Sequence, residues 1–80
     1  MKSKLDRGTL NVIVGYVVQM EGRPTVNEVY ETITEKIQAK TTKREVRDSI
    51  EAIKKRGLIS VNFDHDADKK MIERYSMATV

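Results

Sequence analysis

An α+β fold, three helices followed by a β-hairpin in one small domain, is what these 80 residues predict. Three observations lead there. Apolar residues recur at helical spacing as far as Arg56; two Thr-x-x-Glu boxes, Thr25–Glu28 and Thr42–Glu45, mark helix starts; and beyond Gly57 the apolar period shortens to two. A chain of 9.2 kDa has one core and little to spare.

The first eight residues, MKSKLDRG, are polar and read as a frayed tail, with Asp6 a candidate helix N-cap; the domain proper is expected over residues 9–80. From Thr9 to Met20 the apolar positions Leu10, Ile13, Val14, Val17 and Met20 form one face of a helix, and Gly22 suits its end. Pro24 precedes the first capping box and can staple onto Val29. The stripe Val26, Val29, Tyr30, Ile33 and Ile37 follows, running out near Ala39. The second box opens a helix with Val46, Ile50 and Ile53 inward, closed by a basic last turn, Lys54-Lys55-Arg56, and by Gly57. Ile59, Val61 and Phe63 then alternate as a strand, with Leu58 able to join the core at the corner. Asp64-His65-Asp66-Ala67-Asp68 is turn chemistry, and Met71, Glu73, Tyr75 and Met77 share one face of a returning strand.

Composition narrows the function classes. Without Cys there are no disulfides, thiolate metal sites or cysteine nucleophiles. No apolar run approaches a bilayer span, and Asp6 and Arg7 interrupt any signal-like start at Lys2 and Lys4, so a cytoplasmic, intracellular protein with no membrane association is expected. His65, the single histidine, falls at a loop tip. No glycine-rich phosphate loop or catalytic carboxylate pair appears, so the chain is not expected to be an enzyme. The Asp-rich loop around His65 lacks the glycine and distal glutamate of a calcium loop; no metal or cofactor is expected. The formal charge is +3, and residues 43–56 alone hold six basic against three acidic side chains, so the excess can be placed on the third helix.

Two stretches, Thr42 to Ser60 and Arg74 to Thr79, resemble a winged-helix (winged helix-turn-helix) domain. In that family the third helix ends in a Gly-Leu-Ile corner, as at Gly57-Leu58-Ile59, and the last strand returns with a Tyr-x-Leu-Thr-like ending; here Tyr75-Ser-Met-Ala-Thr79 is one residue longer. Gly22-Arg-Pro-Thr-Val26 resembles the short strand that lies between the first two helices and often pairs with the wing, so the implied order is helix, strand, helix, helix and two wing strands. The resemblance spans residues 9–79. It implies a small duplex-DNA-binding protein, a transcriptional regulator of the compact sort found in phages, mobile elements or archaea. The third helix would lie in the major groove and the wing on the backbone or minor groove.

On the matching positions Lys43, Arg44 and Arg47 would read the DNA, while Thr42, Lys55, Lys69 and Lys70 would hold phosphates. The bland alternative is a solvated helix face laced by i,i+4 pairs, Arg44–Asp48, Arg47–Glu51 and Glu51–Lys55, each worth a few tenths of a kcal/mol. A second functional reading is a protein-interaction module, an adaptor or inhibitor of a nucleic-acid-processing complex, using the acidic wing or the first helix. That helix is too apolar for one buried stripe: Val12 and Tyr16 fall off it, and Gly15 allows close approach, so two readings stand there, ordinary scattered surface apolars covered by the wing or tail, and a homodimer or partner interface.

Overall fold

The computed structural model of the chain describes residues 5–78; the first four residues of the expected tail, and the Thr79 ending of the family-like return strand, lie outside the described residues. The class is α+β, with three helices and a two-stranded antiparallel hairpin.

Helix α1 spans Arg7–Glu21 and so starts two residues before Thr9. Its start is set by Asp6, whose carboxylate accepts from the Thr9 N–H at 2.7 Å, a bond that also holds the Asp6 carboxyl below its ordinary pKa of 3.8. Gly22 ends the helix at φ +87°, where a side chain would be strained. Leu10, Val14, Val17 and Val18 are buried, and Met20 is exposed. At about 100° per residue, Met20 lies roughly 100° from the centre of the buried face and Val18 nearer 60°, so the core takes Val18 in its place.

Helix α2 spans Val26–Glu31 behind a complete capping box: the Glu28 N–H donates to the Thr25 hydroxyl at 3.2 Å, and the Glu28 carboxylate accepts from the Thr25 N–H at 3.1 Å. The helix then widens into a π-helical turn over Thr32–Lys36, closed by the Ile37 N–H to the Thr32 carbonyl at 3.1 Å. Thr34 gives a local cause, because its hydroxyl donates to the Tyr30 carbonyl at 2.9 Å and competes for the acceptor of a regular turn. Ile37, the residue that ends the wide turn, is exposed, contrary to the regular spacing that puts it inward, while Val29 and Ile33 are fully buried. Gln38, at φ +61°, breaks the run before Ala39.

Helix α3, Lys43–Lys55, starts at Thr42, whose hydroxyl accepts from the Glu45 N–H at 3.1 Å, and stops at Gly57, φ +75°. Val46, Ile50 and Ile53 point into the core as their spacing predicts. Ser49 is buried with them and donates its hydroxyl to Asn11, a polar stitch between α1 and α3.

Strands β1, Ile59–His65, and β2, Met71–Met77, pair with Val61 opposite Tyr75 and Phe63 opposite Glu73. Paired residues share a face, and only its base meets the helices: Ile59 and Tyr75 are buried and Val61 half-buried, whereas Phe63 and Met71 are exposed. Phe63 is thus on the expected face but beyond the reach of the core. Leu58, at the corner, is also exposed. The segment 22–26 does not form a third strand among the described residues. It meets β2 through one backbone bond, the Tyr75 N–H to the Pro24 carbonyl at 3.0 Å, because Pro24 has no N–H to return and is followed at once by the α2 cap.

The α2 cap is accessible to measurement. Thr25→Ala is expected to cost about 1 kcal/mol in chemical denaturation, a fall of roughly 4–8 °C in Tm for a domain of this size. The Thr25 N–H, with further help from the Thr25 hydroxyl and Arg74, holds the Glu28 carboxyl below its ordinary 4.5. The folded state therefore prefers the ionised form, and this contribution is full above pH 4.5 and lost as the pH falls through the depressed value. Glu28→Gln is expected to flatten the acid limb of a Tm-against-pH curve, and an unchanged limb would contradict this account of the cap.

Candidate nucleic-acid interface

A groove of about 840 Å³ runs between the start of α2, the N-terminal half of α3 and strand β2. One wall is Lys43, Arg44, Arg47 and Asp48 of α3; the other is Met71, Ile72 and Glu73 of β2; Tyr75 and Val26 close it below. The basic wall has a simple origin. The Thr42 cap sets the rotation of α3, and with Val46, Ile50 and Ile53 turned inward Arg44 and Arg47 must turn out.

The other wall is held in place by Arg74. On the face of β2 opposite Tyr75, its guanidinium donates to the Arg23 carbonyl at 2.9 Å and to the Glu28 carboxylate at 3.0 Å, with Asp64 at 3.6 Å. Tyr75 lies 2% exposed under the groove and donates its hydroxyl to Glu73 at 2.8 Å. Burial first, then that bond and the Glu73 and Glu51 charges, push the Tyr75 phenol up to about 12 against the opposing pull of Arg47.

Lys43, Arg44 and Arg47 thus come together on one wall. Lys43 also sits 5.7 Å from the centre of the Tyr30 ring, a cation–π distance that leans it on α2. Thr42 is beside them at the helix start. Its hydroxyl accepts from Glu45 and keeps its own proton for another acceptor. Lys55 is exposed at the far end of α3, away from the groove, and Lys69 and Lys70 are exposed at the hairpin turn. Among the described residues Arg74 pairs with Glu28 and Asp64, whereas none of Arg44–Asp48, Arg47–Glu51 or Glu51–Lys55 closes to 4 Å. The expected lacing of α3 is therefore absent, and its cations face solvent.

The loop carboxylates have work inside the hairpin. Asp66 accepts from the N–H groups of Asp68 and Lys70, both at 2.9 Å, and so builds the turn in which Lys69 takes φ +63°. Asp64 accepts from the His65 N–H at 2.9 Å and faces Arg74. Sequence spacing marks these aspartates as turn formers, but the Asp64–Arg74 approach depends on strand register and is not readable from it. The groove's β2 wall escapes the sequence for the same reason: Met71 and Ile72 look like ordinary strand residues until the hairpin is set against α3.

Comparison with family models, with curated proteins and with solved structures finds no match to this chain. Its function has to be argued from the groove itself. No helix among the described residues is long and apolar enough to cross a membrane.

Tyr75 provides a spectroscopic check on the groove floor. The folded protein holds the phenol proton more tightly than the unfolded chain, so this contribution is full below pH 10 and lost as the pH rises toward about 12. Tyr75→Phe is expected to remove the tyrosinate absorbance component near 12 and to make the alkaline melting curve shallower.

Proposed function

We propose that this chain is a winged-helix domain that binds duplex DNA as a small transcriptional regulator, with α3 entering the major groove and the hairpin serving as the wing. The observation that carries this reading is the groove wall of Lys43, Arg44 and Arg47, exposed, outside any described ion pair and facing the hairpin. Arginine can pair two donors with a guanine edge, and lysine and arginine both neutralise phosphate. Met71 and Ile72 across the groove suit the apolar edge of deoxyribose, so a sugar–phosphate strand can lie between a basic and an apolar wall. Lys69 and Lys70 at the turn, and Lys55 at the other end of α3, then serve as outlying phosphate contacts, with Thr42 as a hydroxyl donor. Of the loop acids, Asp64 faces the Arg74 charge at 3.6 Å, which offsets part of its repulsion of phosphate.

A second reading, a winged-helix adaptor that binds protein, draws its support from Asp48 and Glu73, which place a carboxylate on each wall of the same groove. Phosphate is repelled by both, whereas a peptide of mixed charge is not.

Fluorescence anisotropy of a labelled duplex in graded salt separates the two. Binding is expected to weaken with salt at a log–log slope of about 0.9 per phosphate contact. Arg44→Ala/Arg47→Ala is expected to lower affinity by at least about tenfold, and by more if either arginine reads a base. No binding at low salt, a flat salt response, or full affinity in the double variant overturns the DNA assignment and leaves the adaptor.

A further inference from the structure

Outside the groove, Val12 (73% exposed) and Tyr16 (60%) lie on an α1 face that carries no charge from Gly8 to Met20, and no described residue covers them. The face of β2 turned away from the groove is different, because it is tied to the body of the molecule. Arg74 makes the tie. Its Nε faces Asp64 of β1 at 3.6 Å, and its Nη1 donates to the Arg23 carbonyl at 2.9 Å and to the Glu28 carboxylate at 3.0 Å. One planar group thus spans both hairpin strands, the α1–α2 connection and the α2 cap.

The hairpin has little else to hold its angle. On its inner face the base is anchored by buried Ile59 and Tyr75, with the Tyr75 N–H on the Pro24 carbonyl at 3.0 Å. Every residue from Phe63 to Met71 is exposed. An anchor on one face leaves a strand pair free to rock about it, and a second anchor on the opposite face, one residue away, stops the rocking. Lys70 is four residues from Arg74, about 14 Å along the strand at ~3.4 Å per residue. Rocking by about 10° at Arg74 moves the turn by about 2–3 Å, enough to break a lysine–phosphate contact that closes at about 2.7–2.9 Å.

Resting on the duplex-DNA reading, we propose that Arg74 is the positioning residue of the wing. It touches no DNA, and by tying β2 to Arg23 and Glu28 it fixes the angle at which Lys69 and Lys70 meet phosphate while α3 lies in the major groove. The role needs the fork of a guanidinium. A lysine in its place is a single point donor and cannot face Asp64 and the helical body at once. The contribution of Lys69 and Lys70 to binding therefore exists only while Arg74 is in place.

A double-mutant cycle, read by anisotropy of a labelled duplex in graded salt, tests this coupling. In the wild type, Lys69→Ala/Lys70→Ala is expected to weaken binding and to cut the log–log salt slope by about 1.8, two contacts at about 0.9 each. Arg74→Gln is expected to lower affinity and slope by the same amounts, and removing both lysines in that background to change neither further. Arg74→Lys is expected to behave as Arg74→Gln, whereas a direct phosphate contact would survive in the lysine variant. The loss caused by Arg44→Ala/Arg47→Ala is expected to be the same in both backgrounds, because α3 is not moved. Circular dichroism of each variant is expected to match the wild type, since the buried core is untouched. Additive losses, or wild-type affinity in Arg74→Lys, overturn the positioning role.

A second measurement needs no DNA. Residual dipolar couplings of the hairpin and α3 amides are expected to fit one common alignment in the wild type and to part in Arg74→Gln. A hairpin that stays aligned with α3 in that variant overturns the role by itself. Absence of duplex binding by the wild type overturns the DNA reading and its lysine contacts instead, and the couplings then show separately whether Arg74 sets the hairpin.

Discussion

The attachment of β2 to the connection between α1 and α2 is the constraint on which the rest of this structure depends. Three bonds make it: the Tyr75 N–H to the Pro24 carbonyl, and the Arg74 guanidinium to the Arg23 carbonyl and the Glu28 carboxylate. Adjacent residues of one strand thereby do opposite jobs, since Arg74 reaches out to the helix start while Tyr75 turns in to the core. The ion pair at this half-exposed site is worth about 1 kcal/mol or less. Burial of the Tyr75 ring contributes more, because truncating a core aromatic costs roughly 3–5 kcal/mol. The polar bonds supply direction and the ring supplies stability.

That attachment turns a helix face into a groove. Without the hairpin, Lys43, Arg44 and Arg47 would be three cations on an exposed helix, which is common and has little meaning. With β2 held across from them they form one wall of a cleft whose opposite wall is largely apolar, and a cleft with walls of different chemistry selects what enters it. In the proposed DNA complex the same three bonds would fix the angle between the recognition helix and the wing. The positioning of the wing would then rest on Arg74, a residue that does not line the groove.

Charge is handled locally rather than by the net balance. Glu28 is committed to the α2 cap and to Arg74, Asp6 to the α1 cap, Asp66 to the hairpin turn and Asp64 to the strand end beside Arg74. The basic side chains lining the groove have no such duties among the described ion pairs. The α3 wall of the groove, with three cations against Asp48, is locally positive on a chain of net charge +3. The uncharged outer face of α1 is the complement of this arrangement, a surface from which charge of either sign is excluded.

Local chemistry carried much of this fold in legible form. The three caps at Asp6, Thr25 and Thr42, the glycine stops at Gly22 and Gly57, the inward face of α3 and the switch to a period of two all follow from interactions spanning a few residues, and such interactions are written in the chain. So is the exposure of Val12 and Tyr16, because an apolar residue on the far side of a helix from its core stripe has nowhere else to go. What depended on distant segments was not legible. Ile37 was left exposed where the helix ends, the hairpin outran the core at Phe63, and Pro24 gave its carbonyl to a single bond instead of opening a third strand. The groove belongs to this second group. Lys43, Arg44 and Arg47 are marked by sequence as the basic start of one helix, but their facing Met71 and Ile72 follows from how Arg74 and Tyr75 seat the hairpin, and that is decided only when residues some fifty positions apart pack together.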